Sequence, residues 1–198
     1  HPDLRKNFRS RFSKNVTPGQ LATDLDDNHF VTRGHGTHVS GIIGATPEYG
    51  ESTSLSLTNT NSGVAGGCWG CSVAMMKFDG FLDNSATAMT AAIDRGMQVI
   101  NLSFGDGVAQ DFVSCATTYQ TLCSAISAAA NRDVVVVGAS GNQHVARVQF
   151  PAQHPDVIAV GGLEVGGVFW TTHTGYAEPG SNWGSQQAVV APARDVLS

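Results

Sequence analysis

The sequence predicts an α/β protein of three layers, in which helices flank a mainly parallel central sheet. Two observations predict it: short, continuous apolar runs recur along the chain, and Ala-rich segments with helical periodicity lie between them. Runs of this kind are typical of strands that are buried on both faces of a parallel sheet. Because the chain has 198 residues, it is long enough to bury a substantial core as one domain.

The predicted elements alternate from residue 72 onward. The Ser-, Thr- and Asn-rich stretch 51–62 before them is expected to be a surface loop. The small apolar residues that follow Arg33–His38 predict an earlier helix, packed in the core. Strands are predicted at 72–78, 98–103, 133–138 and 156–161, and the later helices at 85–95 and 117–131.

Charge and hydropathy exclude several classes of function. The net charge is -5 and the basic residues cluster only at 5–14, so no nucleic-acid partner is expected. No apolar run reaches the roughly 20 residues of a membrane span. Motifs of the forms G-x-x-x-x-G-K-[ST], H-E-x-x-H and G-x-S-x-G do not occur, which argues against nucleotide-binding, zinc-protease and α/β-hydrolase chemistry.

Four cysteines leave several arrangements open. Cys68 and Cys71 form a C-x-x-C that suits a small disulfide, half a metal site or a redox pair, and we favour a local structural bridge. A continuous helix would hold Cys115 and Cys123 about 12 Å apart, beyond the roughly 7 Å between α-carbons that a disulfide spans. If they pair, that segment must be bent. A four-cysteine zinc site is conceivable, but the second pair lacks its short spacing.

Polar, glycine-containing segments end two of the predicted strands, at Asn101–Gly105 and Gly138–Asn142. Ligands gather at the carboxyl ends of parallel strands, so we expect the functional site there. The amide of Asn142 could donate to a developing oxyanion, although an asparagine at a strand end more often caps a turn. His35, at a predicted helix start, suits a general base, and the alternative is a satisfied histidine in a polar turn.

Four segments, in this order along the chain, resemble those of the subtilisin-like serine proteases (peptidase family S8). The resemblance extends from Leu4 to Pro192 and implies the subtilisin-like fold and a serine endopeptidase that works through an acyl-enzyme. It also implies a protein or peptide substrate and no required cofactor, and we expect a monomer. The four segments are His35–Gly41, Val99–Gly105, Gly138–Asn142 and 150–161, and Ala191-Pro192 resembles the A-P of the family's A-P-G.

The resemblance assigns roles to residues of the first and third segments. It implies that His35 is the catalytic base and that His38 is structural, buried against the helix. Asn142 matches the side-chain donor of the oxyanion hole.

The same resemblance implies a substrate-binding strand and a specificity pocket. Ser103, Phe104 and Gly105 match the strand that pairs with an extended substrate backbone, and Phe104 would favour apolar side chains. Gln149 would lie near the pocket floor. The opposite wall would consist of Ala139, Ser140 and Gly141.

The catalytic Asp and Ser of the family have no counterpart in these residues. His1-Pro2-Asp3-Leu4 resembles the segment that follows the Asp, and the nucleophile segment G-T-S-M-A normally follows A-P-G. We therefore expect residues 1–198 to be a single incomplete catalytic domain that lacks the first strand and the nucleophile helix and is inactive alone. The alternative is a catalytically dead pseudoprotease or a peptide-binding module.

Two further expectations concern metal and location. No catalytic metal is expected, but the resemblance makes a structural calcium conceivable, with Asp3 and either Asn59 or Asn61 as oxygen ligands. The even number of cysteines favours a secreted or cell-surface protein.

Overall fold

The computed structural model describes residues 2–27, 34–46, 63–107, 114–164, 166–171, 180–194 and 196. The chain divides into two compact units. The first comprises His1–Lys77 and Val196–Ser198, and the second comprises Phe78–Asp195.

The first unit contains the predicted helix and a short parallel strand pair. Helix α1 spans His35–Gly44, and β1 (Lys14–Asn15) pairs with β2 (Met76–Lys77). Only two residues of the strand predicted at 72–78 form a ladder. Val73 makes an isolated parallel bridge with Phe8, in which the Val73 N–H donates to the carbonyl of Asn7.

The carboxyl end of α1 is satisfied by a neighbouring backbone segment. The N–H groups of Gly66, Gly67 and Cys68 donate to carbonyls at the end of the helix, over 2.8–2.9 Å. Cys68 then forms the favoured local disulfide with Cys71, with 5.4 Å between their α-carbons. This bridge closes the turn that follows the segment bonded to α1.

The second unit is a four-stranded parallel sheet with two helices. Helix α2 packs on α3, and α3 packs on β4, so the helices form a layer beside the sheet. The strand order is β3-β4-β5-β6, and all pairs are parallel. The elements are α2 Leu82–Asp94, β3 Val99–Leu102, α3 Gln120–Ala130, β4 Val135–Ala139, β5 Ile158–Leu163 and β6 Gln187–Pro192.

These elements confirm an α/β protein with a parallel sheet flanked by helices, as the apolar runs predicted. Strand β6 was not predicted. Among the described strands it lies at the end of the order, where it pairs with β5, and it is largely exposed. Its residue Pro192 lacks an N–H, which suits an edge strand. An exposed edge strand does not require the continuous apolar run that marks the central strands in the sequence.

One face of the sheet is buried and the other is largely open among the described residues. Ile100 and Val136 are buried, whereas their neighbours Val99, Val135 and Ile158 are 61%, 44% and 40% exposed. The expectation that these strands are buried on both faces is therefore wrong for this part of the chain. Apolar composition alone does not reveal whether a covering layer is present.

The second cysteine pair is bonded, and the chain bends between its members as a disulfide requires. Cys115 lies in a turn ahead of α3, and Cys123 lies inside that helix, with 5.8 Å between their α-carbons. Tyr119, between them, adopts a left-handed backbone conformation with φ of 52°. This reversal brings together two residues that a continuous helix would hold apart.

Candidate active site

His35 is the first residue of α1, in the first unit, and its side chain is exposed. A carboxylate from earlier in the chain caps this helix: Oδ2 of Asp27 accepts the N–H of Thr37 over 2.7 Å. The bond satisfies a donor that the first turn cannot, and it places negative charge where the helix dipole favours it. The helix start that carries His35 is therefore fixed from outside the helix. Sequence reasoning missed Asp27, because the cap acts across ten positions.

His38 does not have the buried position that was expected for it. It is exposed, like His35, because residues three apart on a helix share a face. The buried face of α1 is formed by Ser40, Gly41 and Gly44. The two histidines are therefore distinguished by their place in the helix, first turn against second, and not by burial.

The carboxyl ends of the four strands of the second unit line one cleft of about 220 Å³. Five of the predicted site residues take part in it: Ser103 after β3, and Ala139, Ser140, Gly141 and Asn142 at and after the end of β4. The side chain of Asn142 is exposed. The cleft thus lies at the strand ends where the sequence placed the functional site.

Asn142 stands in a turn that a buried asparagine organises. Gly141 has a φ of +111°, which L side chains rarely adopt. A β-carbon there would lie 2.3 Å from Nδ2 of Asn182, which is fully buried. Sequence reasoning missed Asn182, and an asparagine between Ser181 and Trp183 carries no local signal of this contact.

The two serines of the predicted site use their hydroxyls in hydrogen bonds to other groups of the protein. Ser140 is buried, and its Oγ donates to the carbonyl of Asn182 over 3.0 Å. The Oγ of Ser103 accepts a bond from Nδ2 of Asn101 over 2.8 Å. Phe104 packs edge-on against Phe78, with 5.1 Å between ring centroids. A ligand at these segments would therefore meet mainly backbone groups and an anchored aromatic ring.

The segment at Gln149-Phe150 joins the two predicted walls of the pocket. The carbonyl of Phe150 accepts the N–H of Asp106 over 3.0 Å, and the N–H of Gln149 donates to the carbonyl of Ser140 over 2.9 Å. The Gln149 side chain lies between the walls. Its Nε2 is 3.4 Å from the carbonyl oxygen of Ala139, and a β-carbon on Gly105 would be 2.1 Å from its Cδ. A side chain at position 105 would therefore require the Gln149 amide to move.

Two groups of side chains bear on metal binding. Cys115, Cys123 and His154 bring their ligand atoms within 4.8 Å of one another, but both sulfurs are bonded in the disulfide and cannot act as thiolate ligands. Asp3 is buried, and its Oδ2 accepts the N–H of Val64 over 2.9 Å. Asn59 and Asn61, the other conceivable calcium ligands, lie outside the described residues, as does the whole 51–62 loop.

Comparison of the sequence with models of known protein families identifies the family of this chain. The model of the subtilase family matches residues 1–197. The chain belongs to the subtilase family.

Curated relatives of this subtilase are longer than the chain. It is 32% identical over 203 residues to a "Thermophilic serine proteinase" of Bacillus sp. (strain AK1), and the match covers 100% of the chain and 42% of the relative. It is 31% identical over 203 residues to Subtilisin BL of Lederbergia lenta, covering 100% of the chain and 61% of the relative. The chain thus spans between about two fifths and three fifths of these two relatives.

Solved structures agree with the subtilase fold. The S218A mutant of the PatA protease domain matches with a TM-score of 0.67 at 24% identity, covering 99% of this chain and 65% of that one. Sphericase matches with a TM-score of 0.66 at 24% identity, over 92% of this chain and 54% of its own.

Among the described residues of this subtilase, no helix combines the length and apolar character needed to cross a bilayer.

Proposed function

We propose that this subtilase chain is the larger part of a serine endopeptidase domain that hydrolyses peptide bonds through an acyl-enzyme. The observation that carries the proposal is the family match over residues 1–197, together with an exposed histidine on the first turn of α1 at His35. The match extends through both compact units, which supports one catalytic domain over 1–198. In the full-length protein, the catalytic Asp and the nucleophilic Ser come from outside these residues.

His35 acts as the general base. It takes the proton from the serine hydroxyl as the serine oxygen attacks the scissile carbonyl, and it returns that proton to the leaving amine as the peptide bond breaks. A water molecule then loses its proton to His35 and attacks the ester carbonyl. The ester bond breaks, the acyl group leaves as a carboxylic acid, and the serine oxygen takes the proton back from His35. The carboxylate of Asp27 caps the helix that carries the base, which keeps its first turn ordered.

Asn142 donates to the oxyanion. Its exposed amide stands at the rim of the cleft, where an N–H can meet the negative charge that develops on the carbonyl oxygen. A donor held in this place stabilises the transition state more than the ground state, so it accelerates turnover instead of tightening substrate binding.

The substrate is an extended peptide or protein segment. Backbone groups of Ser103–Gly105 pair with its main chain, and Ala139–Gly141 form the opposite wall of the pocket. The fixed ring of Phe104 favours apolar side chains. Gln149 forms the floor, because its side chain lies between the two walls.

The location of the protein, its cofactor requirement and a structural metal are proposed from the family and from the described side chains. Two disulfides support a secreted or cell-surface protein. Catalysis requires no cofactor. The buried carboxylate of Asp3 would be one oxygen ligand of a structural calcium, which would stabilise the fold and take no part in the reaction.

Replacing Gln149 by alanine is expected to deepen the pocket and shift side-chain preference. Removing the Gln149 amide vacates space between Gly105 and Ala139, so large aromatic side chains before the scissile bond gain relative to leucine. We expect the kcat/KM ratio for phenylalanine over leucine to rise about tenfold, the size of effect that one or two buried carbons produce. The ratio is measured with two peptide anilides that differ only in having phenylalanine or leucine before the scissile bond. The control Gln153→Ala, also a buried glutamine, should leave the ratio unchanged; an unchanged ratio in Gln149→Ala would remove Gln149 from the floor.

A fluorophosphonate probe tests the proposed function, because it reacts only with an activated serine. The full-length protein should be labelled and the isolated 1–198 chain should not. A full-length protein that remains unlabelled would favour the alternative, a peptide-binding module without catalysis.

A further inference from the structure

We propose that Asn182 is a positioning residue that fixes the amide of Asn142 for catalysis. The inference rests on the proposed role of Asn142 in the oxyanion hole. It concerns a residue 40 positions along the chain, in the segment that leads into β6.

Asn182 holds both peptide groups that adjoin Asn142. On one side, the backbone N–H of Asn182 donates to the carbonyl of Gly141 over 2.8 Å. On the other side, Oδ1 of Asn182 accepts the N–H of Gln143 over 2.9 Å. The peptide planes before and after Asn142 are thus bonded to one and the same residue, and their orientation determines where the Asn142 side chain leaves the backbone.

The remaining polar atoms of Asn182 tie it to its surroundings. Oδ1 also accepts the N–H of Val145 over 3.3 Å, and Nδ2 donates to Oε1 of Gln143 over 2.7 Å. Its carbonyl accepts the hydroxyls of Ser140 and Ser181, each over 3.0 Å. Asn182 is 0% exposed, so these bonds are made away from competing water.

This arrangement matches what an oxyanion donor needs. A donor contributes to rate when it is already oriented before charge develops, and displacement by about 1 Å can cost about a hundredfold. Asn142 is exposed and has no packing around its side chain comparable to that around Asn182. Its orientation therefore depends on its backbone, and Asn182 sets that backbone.

The test is a double-mutant cycle in the full-length protein, with kcat and KM measured on a chromogenic peptide anilide that has an apolar residue before the scissile bond. Active-site titration counts only folded enzyme, so partial misfolding does not enter kcat. We expect Asn182→Ala to lower kcat about 10- to 100-fold with KM within about threefold. In an Asn142→Ala background the same substitution should lower kcat by less than about threefold, because the amide that it positions is already gone.

Two further variants separate positioning from plain destabilisation. Asn182→Asp keeps the acceptor for both N–H groups, and the Gln143 amide can turn over to donate to it, so most of the lost kcat should return. Ser85→Ala removes a buried hydroxyl that donates to the carbonyl of Leu82 in α2, a helix that supplies none of the described cleft residues, so it should lower thermal stability without lowering kcat.

The outcomes are distinguishable. A loss of kcat in Asn182→Ala that persists undiminished in the Asn142→Ala background overturns the positioning role and leaves the proposed function intact. An unchanged kcat in Asn182→Ala likewise overturns the positioning role and leaves the proposed function intact. If Asn142→Ala alone leaves kcat unchanged, the oxyanion assignment fails, and the positioning role fails with it. If Asn182→Ala yields no titratable enzyme, Asn182→Asp is the deciding variant. A kcat equal to that of the unsubstituted protein supports the positioning role. If Asn182→Asp lowers kcat, and lowers it by the same factor in the Asn142→Ala background, the positioning role is overturned.

Discussion

Substituting His35 by alanine in the full-length protein is expected to lower kcat about 10⁶-fold, the order of magnitude for loss of the general base from a Ser-His-Asp triad. Without the imidazole, the serine hydroxyl keeps its proton and cannot attack at a useful rate. KM should change little, since His35 contributes to the reacting centre and not to the walls that hold the substrate. Steady-state kinetics on a peptide anilide, with the folded fraction checked by circular dichroism, provide the measurement.

His38→Ala is the matched control for this substitution. It removes the same side chain from the same exposed face of α1, three residues further along. An exposed helical position away from the chemistry tolerates substitution, so kcat should stay within about tenfold of the parent value. Equal losses in the two variants would mean that the helix, and not the His35 imidazole, is what the activity requires.

Asn142→Ala is expected to lower kcat about 10²- to 10³-fold while KM stays within a few-fold. The amide meets a full negative charge only in the tetrahedral intermediate, so its loss weakens the transition state and hardly affects the bound substrate. The exposure of Asn142 at the rim of the cleft makes a folding effect small. The kinetic split between kcat and KM is the decisive readout.

The control for Asn142 is Asn131→Ala, which changes an exposed asparagine beyond the end of α3, away from the cleft residues. Its kcat should lie within about twofold of the kcat of the unsubstituted full-length protein. If Asn142→Ala raised KM by a hundredfold at constant kcat, Asn142 would bind substrate instead of stabilising the oxyanion.

Much of the fold could be predicted from the sequence because apolar runs and helical periodicity are properties of neighbouring residues. The apolar runs at 98–103, 133–138 and 156–161 predicted three strands of a mainly parallel sheet, and the structure has all three, next to one another. Their polar, glycine-containing ends predicted the cleft, since parallel strands bring their carboxyl ends to one edge of a sheet. Strand length at 72–78 was overestimated, because a strand extends only as far as its partner, and β1 has two residues.

The features that the sequence did not reveal depend on contacts far apart in the chain. Asp27 caps α1 from ten residues away, and Asn182 supports Gln143 from 39 residues away. Neither pairing has a periodicity or spacing that could be recognised in one sequence. The burial of His38 was misjudged for a related reason. Two histidines three apart on a helix share one face, so burying one while exposing the other would require a covering element that the local motif does not specify.

We propose that residues 1–198 provide the base, and another segment of the full-length protein the nucleophile, of one serine protease site. Fluorophosphonate labelling of the full-length protein, followed by mass-spectrometric location of the label, tests it most directly. We expect one labelled serine outside residues 1–198, and we expect His35→Ala to abolish the labelling. Absence of label, or a label on a serine within 1–198 that persists in His35→Ala, would contradict it.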